Sequence, residues 1–218
     1  MTESAAPQPI KDDPQVFRRL GMAYEAGWGV PRDDAKAVVY FRVAAEQGDV
    51  TAKMYLFAMY RAGRGGVVVD ELFLTCLRDL AGAPGPQCAL AELYLAGEFV
   101  DRDEEAALSW YIKAAHSHSY DGEMGAARIY ARGVGAVERD VVQAHMWFNI
   151  ATIDNDKESA AEARRERDAL AAQMSPEEIA GARQLVREWG ANRSCDLREQ
   201  LGEGRRLWAW LRSLTRHA

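Results

Sequence analysis

From Pro14 onward the chain alternates stretches of recurring apolar residues with glycine-bearing breaks. In the first stretch Phe17, Leu20, Ala23 and Tyr24 follow a 3.6-residue period, which predicts a helix over 15–26. Asp13 and Pro14 stand before it as an N-cap and a first-turn proline. Gly27 follows where a helix end needs a left-handed residue. Asp33 then precedes a second apolar stretch. There it can accept a hydrogen bond from a first-turn N–H and complement the helix dipole. The predicted unit is two helices joined by a glycine corner.

The unit recurs. Tyr24, Tyr60, Tyr94 and Tyr130 stand 36, 34 and 36 residues apart, and Gly27, Gly63, Gly97 and Gly133 keep step. So do the bulky pairs Tyr40-Phe41, Cys76-Leu77, Trp110-Tyr111 and Trp147-Phe148. Small or mixed pairs follow at Ala44-Ala45, Leu80-Ala81, Ala114-Ala115 and Ala151-Thr152. Second helices restart at Asp33, Asp70, Asp103 and Asp140, and Gln143 is expected to complete a capping box with Asp140. Gly48 and Gly82 end second helices. Gly21, Ala91 and Ala127 leave room for close helix approach, and the aromatic pairs are expected to pack against the next unit. One such pair of helices cannot bury both faces. Four stacked pairs can, which predicts an all-α solenoid.

These columns resemble the Sel-1-like repeat, a relative of the tetratricopeptide repeat. The first copy carries Leu20-Gly21, Tyr24, Gly27, Gly29-Val30, Asp33, Ala37, Tyr40-Phe41, Ala44-Ala45 and Gly48. The third and fourth copies keep most of the pattern. The second departs, with Phe57 and Phe73 where small residues belong, so a distorted unit and a local change of curvature are expected there. The region after the repeats looks like bacterial members of the family. A long helix over 157–173 leads to Met174-Ser175-Pro176-Glu177-Glu178, with Ser175 and Glu178 as a capping box. A closing helix over 179–189 would cover the last apolar face. The expected organisation is a disordered 1–13, four repeats over 14–155, capping helices over 156–190 and a basic amphipathic tail over 191–218.

The resemblance implies a right-handed α-solenoid whose first helices line a concave side, and a non-enzymatic adaptor that holds a partner peptide or helix there. The non-core positions of those helices form three rows. They are Arg18, Met54, Cys88, Met124; then Met22, Ala58, Glu92, Arg128; then Glu25, Arg61, Leu95, Ala131. Arg18, Met22, Glu25, Arg61, Glu92, Leu95 and Arg128 are the expected partner-binding residues. The mixture of soft apolar side chains and arginine suits a protein-binding groove. Inter-helix packing is the competing reading of Met54, Cys88 and Met124. In the tail, Leu207, Leu211 and Leu214 share one helical face beside arginines. Arg206, Trp208, Trp210 and Arg212 are expected to contact the solenoid end, a partner or, weakly, a membrane.

Charge and chemistry narrow the picture. A formal charge of −6 argues against nucleic acid as the main partner. Cys76, Cys88 and Cys195 show neither a disulfide nor a zinc spacing, and predict free buried thiols in a reducing cytoplasm. The first residues lack a signal peptide's pattern. Neither a metal site nor a cofactor motif is expected. His116 and His118 fall on opposite sides of a helix end, and Gly63-Arg64-Gly65-Gly66 follows a helix rather than a strand. His145 is expected to be a hydrogen-bonded structural histidine. Glu158, Glu162, Glu166 and Asp168 are expected on a solvated face beside Arg164, Arg165 and Arg167. Two other functions stay open: a regulatory inhibitor that clamps a single enzyme, and a hydrolase like β-lactam-binding relatives. The latter carry a cysteine pair in every repeat, which this chain lacks.

Overall fold

The computed structural model describes residues 13–97, 99–153 and 157–191. Of the start expected to be disordered over 1–13, Asp13 is described and is the N-cap of α1, its carboxylate accepting from the Gln15 N–H, while residues 1–12, Cys195 and the tail residues Arg206, Trp208, Trp210 and Arg212 lie outside the described residues. Regular structure among the described residues is helical. In order come α1 (Pro14–Ala26), α2 (Asp34–Glu46), α3 (Val50–Arg61), α4 (Glu71–Asp79), α5 (Pro84–Ala96), α6 (Glu104–His116), α7 (Tyr120–Arg132), α8 (Val141–Ile150) and α9 (Lys157–Ala171). Residues 176–191 form α10. The chain gathers into two compact units, one ending at Gly122 and one starting at Glu123, so α7 begins in the first and ends in the second.

The recurrent Tyr–Gly–Asp phrase closes each corner with the backbone. Gly27, Gly63, Gly97 and Gly133 take φ of 76°, 61°, 69° and 63°, which favours glycine. Downstream, the N–H groups of Asp33, Asp103 and Asp140 donate to the carbonyls of Tyr24, Tyr94 and Tyr130 at 2.9, 3.1 and 2.9 Å. The Asp33, Asp70, Asp103 and Asp140 carboxylates accept from the backbone N–H groups of Lys36, Phe73, Ala106 and Gln143. The capping box expected of Gln143 does not form. Asp140 spends its N–H on Tyr130, leaving the Gln143 side chain no donor there. At Ser175 the box closes both ways: its N–H donates to Glu178 at 2.7 Å, and the Glu178 N–H donates to its hydroxyl at 3.2 Å.

In the first unit the core runs between successive helix pairs. A Cβ on Gly21 would stand 2.6 Å from the Phe41 ring, so the missing side chain sets how closely α1 and α2 approach. Phe41 is fully buried and stacks on Tyr55 at 4.7 Å between centroids, joining α2 to α3. Leu20, read from the period as apolar and inward, is exposed. The second pair is distinct. Its second helix α4 has 9 residues against 13 in α2 and α6. Phe57 finds space because Gly85 on α5 faces it, where a Cβ would lie 3.1 Å away. Phe73 is buried against Tyr60, with ring centroids 4.9 Å apart. Its corner packs on the start of α2, since a Cβ on Gly65 would meet the Asp34 carbonyl at 2.6 Å.

Ion pairs tie one helix pair to the next. Arg18 bonds Asp49, the N-cap of α3, at 2.6 Å, and Arg42 pairs with Asp70, the N-cap of α4. Arg64 reaches back to Asp34 at 2.7 Å and Glu25 at 3.1 Å. Hydrogen bonds from Arg64, then from Arg32, hold the Asp34 carboxyl well below the usual carboxylate range.

In the second unit α10 covers α8. Trp189 meets Trp147 edge-on with centroids 4.8 Å apart, and Gly181 lies against Val142. The acidic face of α9 is not simply solvated. Arg128 of α7 bonds Glu162 at 2.7 Å and also grips Glu166. His145 is buried on α8, but its Nδ1 has no hydrogen-bond partner, unlike the bonded histidine expected. Burial first, then the charges of Arg167 and Arg183, push its pKa down, with Asp168 opposing. A folded pKa below the ordinary 6.5 means the unfolded chain takes up the proton first. Stability from this group is therefore full above pH 6.5 and falls as the pH drops toward the folded value. Denaturation midpoints measured between pH 7.5 and pH 5 are expected to fall more steeply for the natural chain than for His145→Gln.

Candidate interaction surface

The described chain offers helix faces more than reactive groups. In the first unit, α3 presents Met54, Ala58 and Arg61 to solvent, and Met54 is 57% exposed. These residues lie three, four or seven apart and so share one side of the helix. On α5, Glu92 is exposed and Leu95 half-buried. At the start of α7, Asp121 accepts from Arg61 at 3.3 Å. Desolvation raises the Glu92 pKa, Arg61 opposes and Asp121 adds, while the residue keeps an open face to water. Arg61, Glu92 and Asp121 therefore feel one another's charge across three helices.

The expected binding residues divide into two groups. Arg61, Glu92 and Leu95 join this surface. Arg18, Glu25 and Arg128 are half-buried and already hold Asp49, Arg64 and the α9 carboxylates, and Met22 packs against the first core cluster. The row Arg18, Met54, Cys88, Met124 splits as well, because Cys88 and Met124 are core residues. Asp121 was not legible from the columns. They align helices in register, whereas the Arg61–Asp121 bond joins the last turn of α3 to the first turn of α7.

Burial pushes the Cys88 thiol up to about 11, with the Ser119 hydroxyl 3.7 Å away, so it is a protonated thiol at neutral pH. Cys76, also buried, is raised for the same reason. Among the described residues, no three His, Cys, Asp or Glu side chains group in a way that could hold a metal ion.

Known proteins place this architecture. The Sel1 repeat model matches residues 18–49, 87–119 and 122–156. The chain is thus built on Sel1 repeats, in an all-α fold of the solenoid class. Proteins of this kind are typically protein–protein interaction scaffolds. The unmatched interval 50–86 holds α3 and α4, the pair in which Phe57 and Phe73 replace small residues.

Among solved structures, the chain resembles a protective antigen of uropathogenic Escherichia coli strains with an SLR fold. That likeness has a TM-score of 0.63 at 25% identity, and covers 88% of this chain and 41% of the antigen. It also resembles a Sel1 repeat protein of Oxalobacter formigenes, with a TM-score of 0.55 at 23% identity, over 73% of this chain and 66% of the other. The chitin synthase regulator SKT5 of Saccharomyces cerevisiae is 37% identical over 101 residues, which are 44% of this chain and 14% of the regulator.

Proposed function

We propose that the chain is a non-enzymatic adaptor that holds a peptide or helix of a partner protein against the exposed side of α3 and α5. The observation that carries this reading is Met54, a flexible apolar side chain left 57% exposed two turns from Arg61. Methionine adapts to varied apolar partners, and arginine anchors many binding hot spots. Glu92 and Asp121 beside Arg61 offer both signs of charge for setting the register of a bound helix. The contact centres on Met54, Ala58, Arg61, Glu92 and Leu95, since Arg18, Glu25 and Arg128 are engaged within the chain. A reducing, cytoplasmic setting belongs to this proposal, in keeping with free thiols at Cys76 and Cys88.

Affinity capture on the purified full chain tests it, beside Met54→Glu, Arg61→Glu and, on the other helix of a pair, Val39→Glu. Loss of a hot-spot contact is expected to lower partner recovery by about tenfold or more for the first two substitutions, and not for the third. Equal recovery on all three, with helicity intact by circular dichroism, contradicts the reading. The likeness to a yeast regulator supports a second, narrower reading, in which the chain clamps one enzyme. A single stoichiometric partner, inhibited on binding, would favour it.

A further inference from the structure

The first helix of every pair repeats one stripe, at eight, four and one residues before its tyrosine. Positions spaced in this way share one helix face. On α1 the stripe is Val16, Leu20 and Ala23, and on α3 it is Ala52, Leu56 and Met59. Its middle position separates the first copy from the rest. Leu56, Leu90 and Ala126 are 1%, 2% and 0% exposed, whereas Leu20 is 37% exposed. The flanking positions agree: Ala52, Met59, Leu93 and Ile129 are buried, while Val16 and Ala23 are only partly so.

The later copies show what this stripe receives. On α3, Leu56 and Met59 lie in one cluster with Phe41, Ala44 and Ala45 of α2. On α5, Leu90 and Leu93 lie with Leu74 and Leu77 of α4. At the start of α7, a Cβ on Gly122 would stand 2.7 Å from the Ala114 Cβ and 2.8 Å from the Tyr111 carbonyl oxygen of α6. Each stripe therefore seats the second helix of the preceding pair, and no helix precedes α1 among the described residues.

The helices so seated also share a pattern. In α2 and α6 an aromatic residue is followed three and four positions on by two alanines, as Phe41 with Ala44-Ala45 and Tyr111 with Ala114-Ala115. Tyr55 of α3 stacks on the Phe41 ring at 4.7 Å. The matching position on α1, five before its tyrosine, is Arg19, which is exposed. A guanidinium stacks on an aromatic face much as a tyrosine ring does. Arg18 beside it is held by Asp49, so Arg19 is the cation left to meet such a ring. This chain has no spare helix of the kind. Phe41, Tyr111 and their α8 counterpart Phe148 are buried, so a second copy would have to unfold to supply one. In residues 1–12 and 192–218 no aromatic residue is followed at those two positions by a pair of small ones.

We propose that the open face of α1 is a second docking site, which takes an amphipathic helix of another protein with an aromatic residue followed three and four positions on by two small ones. That helix lies where the second helix of a preceding pair would lie. Its ring meets Arg19, and its small pair lets the backbone close on Leu20. The site is separate from the α3 and α5 surface, so either can fail without the other.

The probe is a fluorescent peptide of sequence 33–48, which carries Phe41, Ala44 and Ala45 and is stapled between positions 35 and 39 to hold it helical. It is titrated by fluorescence anisotropy against the purified full chain. Binding is expected, and is expected to weaken about tenfold or more for Leu20→Glu, or when the peptide itself carries Phe41→Ala. Arg19→Ser is expected to weaken it about threefold, the effect of losing one exposed cation–π contact. Arg61→Glu, on the other surface, is expected to change nothing. Leu20→Glu should keep its denaturation midpoint, since this side chain is open to solvent. Absence of binding, or equal binding to Leu20→Glu, would overturn the proposal. A fall in the Leu20→Glu midpoint would do so too, by making Leu20 a packing residue. Removing residues 1–12 is expected to leave the affinity unchanged. Probe binding tightened about tenfold or more by that removal would overturn the assignment to another protein and give the face to this chain's own first residues.

Discussion

Phe41→Ala is expected to cost about 3–5 kcal/mol of stability, the range for emptying a fully buried aromatic site. Phe41 has no exposed surface, fills the space left by Gly21 and stacks on Tyr55. Its removal breaks contacts within one helix pair and between that pair and the next. Whole domains hold only about 5–15 kcal/mol in total, so the first unit is expected to become largely unfolded in mild denaturant. Denaturant unfolding followed by circular dichroism measures this directly. A loss under about 1 kcal/mol would mean the pair interface does not depend on this ring.

The second large effect is expected at Gly122. A Cβ there would lie 2.6 Å from the Ala115 backbone nitrogen, 2.7 Å from the Ala114 Cβ and 2.8 Å from the Tyr111 carbonyl oxygen. These are main-chain and first-carbon atoms, which cannot rotate aside as a long side chain can. Gly122→Ala therefore has to push the start of α7 away from the end of α6. It is expected to cost about 3 kcal/mol, at the upper end for overpacking a tight site. Gly82→Ala is the control, because nothing lies within 4 Å of its Cβ position, and it should change stability by no more than about 0.5 kcal/mol. The same added methyl group would then give opposite outcomes according to what stands beside it. Equal effects at the two positions would show that close approach of α6 and α7 does not limit stability at this site.

Much of the fold was legible because it is written in spacing. The tyrosine and glycine columns and the four Asp caps name the corners. The structure supplies their closure, a Tyr carbonyl accepting from an Asp N–H at 2.9–3.1 Å in the first, third and fourth copies. The capping box at Ser175 was legible for the same reason, as a local motif within four residues. What escaped the sequence depends on distant partners. Arg128 looked like a free binding residue until α9 brought Glu162 and Glu166 to it. Cys88 and Met124 share a column with exposed Met54, yet lie in the core, because a column fixes a position within the repeat and not what covers it.

The most direct measurement is site-specific photo-crosslinking on the full chain. A crosslinking amino acid placed at position 54, and separately at position 39, is matched for exposure, since Met54 is 57% and Val39 58% exposed. The purified variants are returned to extract of the source cells and irradiated. A discrete protein adduct is expected from position 54 and none from position 39. An adduct from position 39 alone, or none from either, would contradict it.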